Sequence, residues 1–315
     1  MSGSGSHITR STRIAAPALA ALTLVLAGCG GGGGSGGTIS ADGSSTVGPY
    51  VTAAAEDFRA ENSDVDITVG ISGTGGGFER FCRGETDLSD ASRPIADDEK
   101  QLCSDNGVEY VEFQVANDAL TVVVSSQNDW VTCLTTEQLK RIWEPGSKVA
   151  SWREADASFP DEALKLFGPG TDSGTFDYFT GEINGEEGAS RTDYSASEDD
   201  NVIVQGVAGT KGGLGYLGFS YFEANQDTLK AVEIDGGSGC VAPSVESAQA
   251  GDYTPLSRPL FVYAKTSSLE RQEVADFLRF MLDNETAIAE KAQFVPLNDE
   301  QLAKANADLD AASGG

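Results

Sequence analysis

Three short segments of the 315-residue chain concentrate groups able to hold an anion. They are Gly43-Ser44-Ser45-Thr46, Gly73-Thr74-Gly75-Gly76-Gly77 and Ser173-Gly174-Thr175, each placed between a strand-like and a helix-like stretch. The first turn of a helix leaves backbone N–H groups unpaired and carries about half a positive charge. Glycine lets the backbone approach a guest, and hydroxyls add donors, so such a segment binds an oxyanion without net positive charge. Each segment alone is explained as well or better by simple helix capping. Three in one chain point to a shared ligand. A fourth segment, Ser89-Asp90-Ala91-Ser92-Arg93-Pro94, adds a guanidinium whose fork matches two phosphate oxygens. The plainer reading of Arg93 is a surface salt bridge to Asp90 or Asp97.

Other chemistries find no support. The only histidine is His7, inside a segment read below as an export signal. Its removal leaves no Ser-His-Asp triad, no Cys-His dyad and no His-ligated zinc. Residues 73–77 do not complete Gly-x-Gly-x-x-Gly, and Thr210-Lys211-Gly212-Gly213 is not a P-loop. The run Glu198-Asp199-Asp200 reads as a solvated face rather than an acid/base pair. The expectation is a non-enzyme with no cofactor and no metal.

The elements that must position these segments follow from hydrophobic patterning. Strands are expected at 38–40, 66–71, 87–91, 108–113, 119–124, 163–167 and 260–264, and helices at 47–60, 78–83, 97–104, 135–142, 176–183 and 269–283. The segments 202–207 and 214–219 continue the alternation. Val51, Ala55 and Phe58 share one helix face, as do Val274, Phe277, Leu278 and Met281. This order predicts an α/β protein with a mostly parallel sheet.

Composition limits the partners. Hydrophobic residues make up 39% and charged residues 22%, as in a globular chain of two ordinary domains. Acidic residues number 49 against 21 basic ones, which argues against nucleic acid. Arg10 and Arg13 precede an apolar run over 14–27, too short to span a bilayer, and Leu26-Ala27-Gly28-Cys29 resembles a bacterial lipobox. Residues 1–28 read as a signal peptide, and 29–37 as a lipidated Cys29 with a Gly/Ser tether. Losing two arginines takes the formal charge from −28 to −30, a surface suited to a saline habitat. Four cysteines then remain, which favours two disulfides in an exported protein. Three pairings exist; Cys82–Cys103 with Cys133–Cys240 is preferred because the first two share a segment.

Taken together, Ala41-Asp42-Gly43-Ser44-Ser45-Thr46, Ile71-Ser72-Gly73-Thr74-Gly75-Gly76, Asp87-Leu88-Ser89-Asp90-Ala91-Ser92-Arg93-Pro94 and Gly170-Thr171-Asp172-Ser173-Gly174-Thr175-Phe176 resemble the PstS family. These are phosphate-binding lipoproteins of the bacterial phosphate ABC transporter. Gly215-Tyr216-Leu217-Gly218 resembles that family's Gly-Tyr segment, and the likeness spans nearly all of 38–300. It implies a type II periplasmic-binding-protein fold with two domains, 38–115 with 258–315 and 116–257, joined by two hinge strands around a cleft. The chain would cross near 116–120 and return near 255–265.

The implied ligands are Ser45, Thr46, Thr74, Ser173, Gly174 and Thr175, with Ser44 adjacent. Two departures matter. Ser92 stands where well-known members carry an Asp that accepts the proton of hydrogen phosphate, and Pro169 stands where they carry an Arg. Arg93 would then supply the cation, and Asp118, or else Asp172, the proton acceptor. The resemblance implies inorganic phosphate and membrane permease subunits as partners of a monomer held to the membrane by lipid. Sulfate or molybdate binding and a secreted phosphatase are the competing functions.

Overall fold

The computed structural model describes residues 37–171 and 173–314. The expected export signal, Cys29, the tether up to residue 36, and Asp172 lie outside the described residues.

Twelve strands form among the described residues. They begin with β1 (Thr38–Gly43), β2 (Asp66–Ile71), β3 (Leu88–Ala91) and the long β4 (Tyr110–Ser125). Next come β5 (Cys133–Thr135), β6 (Lys165–Pro169), β7 (Ser195–Ser197) and β8 (Gly213–Gly218). The last are β9 (Leu229–Ala231), β10 (Glu233–Asp235), β11 (Cys240–Val241) and β12 (Ser257–Lys265). The main sheet runs β2-β1-β3-β12-β4-β8-β6-β7, with β9 also on β4, and β11-β10-β5 form a small separate sheet.

The mostly parallel expectation needs correction. β1 is parallel to β2 and β3, and β6 to β7 and β8. Every pair that includes β4 or β12 in the main sheet is antiparallel. These two strands carry the chain across the molecule and back, so they must run in opposite directions. The stretches 108–113 and 119–124 also belong to one strand. Asn117 and Asp118 look like a break in the sequence, yet both are satisfied in the ladder. The backbone of Asn117 exchanges hydrogen bonds with Val295 at 2.8 and 2.9 Å, and the Asp118 carboxylate meets a cation described below.

Six helices concern the site and its supports: α1 (Gly48–Glu61), α2 (Gly73–Cys82), α3 (Asp97–Asp105), α4 (Thr136–Trp143), α5 (Trp152–Ala155) and α6 (Gly174–Phe179), which runs on into a π-turn over Thr180–Asn184. α1 buries Val51, Ala55 and Phe58, and Phe58 packs edge-on against Phe277 with ring centres 5.3 Å apart. α4 is capped by Thr135, whose hydroxyl accepts from the Gln138 N–H at 3.1 Å. The expected 269–283 helix starts at Gln272 and buries Val274, Phe277, Leu278 and Met281. A further helix, Asp299–Ala312, has a weaker apolar pattern and escaped the sequence reading.

The largest local surprise is α2. It begins at Gly73, so Gly75, Gly76 and Gly77 are helical rather than a loop. Glycine weakens a helix interior by about 1 kcal/mol. Close packing on β1 overrides that cost, because a Cβ at Gly77 would lie 2.5 Å from the Gly43 Cα and 2.8 Å from the Asp42 carbonyl oxygen. Only bare backbone lets this helix seat its first turns against the strand.

Two large apolar cores result, with smaller clusters beside them. One gathers Val47, Tyr50, Phe58, Phe113, Val262, Phe277 and Met281; the other gathers Leu120, Val122, Trp143, Trp152, Phe179 and Tyr216. β4 feeds both, passing from the first core at Ala116 to the second at Leu120, and β12 approaches from Leu256 in the second to Leu260 in the first. The two cores mark two lobes. Cys82 is bonded to Cys103 and Cys133 to Cys240, tying α2 to α3 and β5 to β11. Glu233 lies beside Cys133 and Cys240, but their sulfurs are consumed by the disulfide. No helix among the described residues is long and apolar enough to cross a membrane.

Gly77→Ala is expected to destabilise the fold by about 1–3 kcal/mol. A urea midpoint lowered without change in slope would show it; an unchanged midpoint would contradict the packing described.

Candidate functional site

A cavity of about 450 Å³ opens where the two lobes meet. Four segments of the first lobe line it: Ser44, Ser45 and Thr46 after β1; Ser72 with Gly73, Thr74, Gly75 and Gly76 at the start of α2; Ser92, Arg93 and Pro94 after β3; and Arg258 and Pro259 at the start of β12. The second lobe adds Gly174, Asp177, Tyr178, Gly181, Glu182 and Glu187. Chain segments far apart in sequence thus present hydroxyls and helix starts to one space.

The local geometry sorts the expected ligands. The Ser44 hydroxyl turns back to cap its own loop, accepting from the Thr46 and Val47 N–H groups at 3.2 and 3.3 Å. Thr74 and Ser92 lie side by side, hydroxyl to hydroxyl at 3.1 Å, and the Ser92 N–H donates to the Thr74 hydroxyl at 3.3 Å. Gly174 sits directly on the first loop: a Cβ there would be 2.9 Å from the Thr46 Oγ1. Ser173 is spent as the cap of α6, accepting from the Thr175 N–H at 3.2 Å, and does not line the cavity. Thr175 lines an adjoining chamber of about 170 Å³ that shares Ser45, Thr46 and Gly174 and includes Asp118.

Arg93 reaches the rim, but its fork is already engaged. Both terminal nitrogens donate to the Glu99 carboxylate at 2.8 Å, and Nη1 also donates to the Pro94 carbonyl at 3.1 Å. The sequence reading chose the wrong acid. Glu99 is pinned by a bond from the Ala96 N–H at the start of α3, which aims it at Arg93 in place of Asp90 or Asp97.

A second, partly buried cation of the cavity is Arg258, which the sequence reading missed. Its Nε donates to Asp118 Oδ2 at 3.2 Å and its Nη2 to Thr46 Oγ1 at 3.0 Å. Its guanidinium lies 3.6 Å from the centre of the Tyr178 ring. Asp118 stands directly opposite Arg258 in the β4–β12 ladder. Burial pushes the Asp118 carboxyl up, while Arg258 and the Ala119 N–H hold it down. The available signal was a lone basic residue, next to a proline, in the largely apolar run 255–264.

Three carboxylates on the second-lobe wall were also missed. Burial raises Asp177, with Glu187 adding to the rise and Arg258 opposing it. Burial raises Glu182 too, against the pull of Arg258. Behind the first loop lies a further pair. Asp42 accepts from Ser72 at 2.5 Å and from Arg80. Asp90 is fully buried, and neither of its oxygens has a hydrogen-bond partner. Burial, then the neighbouring Asp42 charge, push its carboxyl up to about 7.

A two-lobed α/β protein with a polar cleft at its paired crossing strands is a solute-binding architecture. The chain belongs to the PBP superfamily, whose domain matches residues 31–285. Within that class it is 48% identical over 266 residues to Protein SphX of Synechocystis sp. (strain ATCC 27184 / PCC 6803 / Kazusa), covering 84% of this chain and 79% of the relative. It is 40% identical over 276 residues to the phosphate-binding protein PstS of Staphylococcus saprophyticus, covering 87% and 85%. A crystal structure of a possible phosphate binding protein from Planctomyces limnophilus DSM 3776 superposes with a TM-score of 0.84 at 44% identity, over 88% of this chain and 99% of that one. PstS from Borrelia burgdorferi, at 20% identity and a TM-score of 0.65, shares the fold.

Asp90 gives a pH prediction. Burial and the Asp42 charge push its carboxyl up to about 7 in the folded protein, against about 4 in an unfolded chain. Between those values the folded state holds the extra proton, so this group makes stability fall as pH rises through that window. Asp90→Asn should therefore raise Tm at pH 8 by a few degrees and flatten the slope between pH 4 and 7. A lowered Tm at pH 8 would contradict this assignment.

Proposed function

We propose that the protein is an extracytoplasmic receptor that captures inorganic phosphate between its lobes and hands it to the permease of an ABC transporter. The observation that carries this reading is the single cavity shared by Ser45, Thr46, Thr74, Ser92 and Gly174, from both lobes. Their hydroxyls and the free N–H groups at helix starts suit a tetrahedral oxyanion. The similarity to SphX and PstS proteins supports phosphate as that anion. Residues 38–115 with 258–315 form one jaw in this reading and 116–257 the other, with β4 and β12 as the hinge. A signal peptide over 1–28 and lipid on Cys29 would hold the receptor at the outer face of the membrane, as a monomer. The work is capture and release, with no covalent step.

Selectivity over sulfate needs a carboxylate that accepts the ligand's proton, because sulfate carries none at neutral pH. Asp118 is committed to Arg258 and lines the adjoining chamber. Asp177 lines the main cavity with a carboxyl already pushed upward. It is the better acceptor, and sulfate against its charge is the poorer guest.

None of the three tryptophans lines the cavity, so calorimetry is the direct assay. Phosphate should bind at micromolar concentration or below, with sulfate weaker by about a hundredfold or more. No heat with phosphate would overturn the reading, and equal affinity for sulfate would favour a general oxyanion receptor. Asp177→Asn should narrow the phosphate-to-sulfate preference by about tenfold, whereas preserved selectivity would return the role to Asp118. Gly174→Ala should weaken phosphate by about tenfold, because its methyl meets Thr46 when the lobes are closed; wild-type affinity would show that the jaws do not meet there.

A further inference from the structure

We infer that Arg258 is both the cation that holds the guest and the latch between the lobes, an assignment that rests on the phosphate reading. Arg258 stands at the crossing point, on the strand that returns from the second core to the first. It grips three elements at once. Its Nη2 bonds the first-lobe loop through Thr46, its Nε bonds Asp118 on the partner strand, and its flat face covers Tyr178 on α6 of the second lobe. Tyr178 is itself fixed, its hydroxyl donating to the Pro255 carbonyl at 2.7 Å.

The geometry leaves donors for a guest. Nη1 has no acceptor among the described residues, and Arg258 lines the cavity. Arg93 differs, since Glu99 takes both of its terminal nitrogens. Arg258 also sets the polarity of Thr46. A hydroxyl that accepts an N–H still has its own hydrogen to donate, so the Arg258–Thr46 bond leaves the Thr46 O–H for the anion. The Arg258 side chain is 16% exposed and that of Asp118 10%, so solvent screens this cluster only weakly. A lysine could supply the charge but neither the fork nor the stacking plane.

The test is phosphate binding to the full chain by calorimetry and stopped-flow. Arg258→Met should weaken binding by about tenfold or more, chiefly through faster dissociation, with association changed by less than about threefold. Arg258→Lys should recover part of the loss. Thr46→Val should weaken binding too, and the double variant should be no worse than Arg258→Met within about threefold, because the two side chains act as one unit. Losses that multiply, or wild-type affinity in Arg258→Met, would overturn the inference. If Arg258→Met lacks the wild-type circular dichroism spectrum, Arg258→Lys with Thr46→Val carries the same comparison. A wild-type chain that binds no phosphate would sink the receptor reading and this inference together. Wild-type binding that survives Arg258→Met would sink this inference alone.

Discussion

The pairing of β4 with β12 is the constraint on which the site depends. Their ladder runs from Tyr110 opposite Lys265 to Ala119 opposite Ser257, with a register shift at Leu260/Phe261. Slipping a strand by one residue would turn every side chain to the other face. The shift leaves Val115 as one extra residue on β4, so the consecutive Val115 and Ala116 both reach the first core while Arg258 still stands opposite Asp118. One backbone alignment therefore seals a core and places an ion pair at the crossing. The same two strands join the lobes, so the point of crossing and the charged centre of the cleft coincide.

The acidic character of the chain appears hostile to an anion, and the cavity carries Asp177, Glu182 and Glu187 on one wall. Two effects reconcile this. Surface charges beyond about 8 Å are screened at physiological salt, whereas hydrogen bonds near 3 Å act at contact. The Arg258 charge also acts on both Asp177 and Glu182 and offsets part of that wall's field. On the phosphate reading, an anion would be held by many neutral donors and one guanidinium paired with Asp118. A guest that brings its own proton fits such a wall better than one that cannot.

Much of this was legible in the sequence, and the failures have physical causes. The strand at 66–71 and the helix faces around Phe58 and Phe277 follow from periodicity alone, because burial there is one-sided. The three Gly/Ser/Thr segments were found from composition, since few side chains can stand where backbone meets backbone. Glycine misled at α2, where tertiary packing at Gly77 outweighs helix propensity. Arg258 was missed because register across 140 residues of sequence is invisible without the fold. Arg93 shows the converse: its partner Glu99 is only six residues away, but only the start of α3 shows that they meet.

The central claim is that separate chain segments of both lobes close on one tetrahedral anion. Hydrogen–deuterium exchange with and without phosphate tests it most directly. The account predicts slower exchange together at residues 45–47, 74–76 and 174–176, and along the crossing of β4 and β12. Slowing at one segment alone, or at none while phosphate is bound, would contradict it.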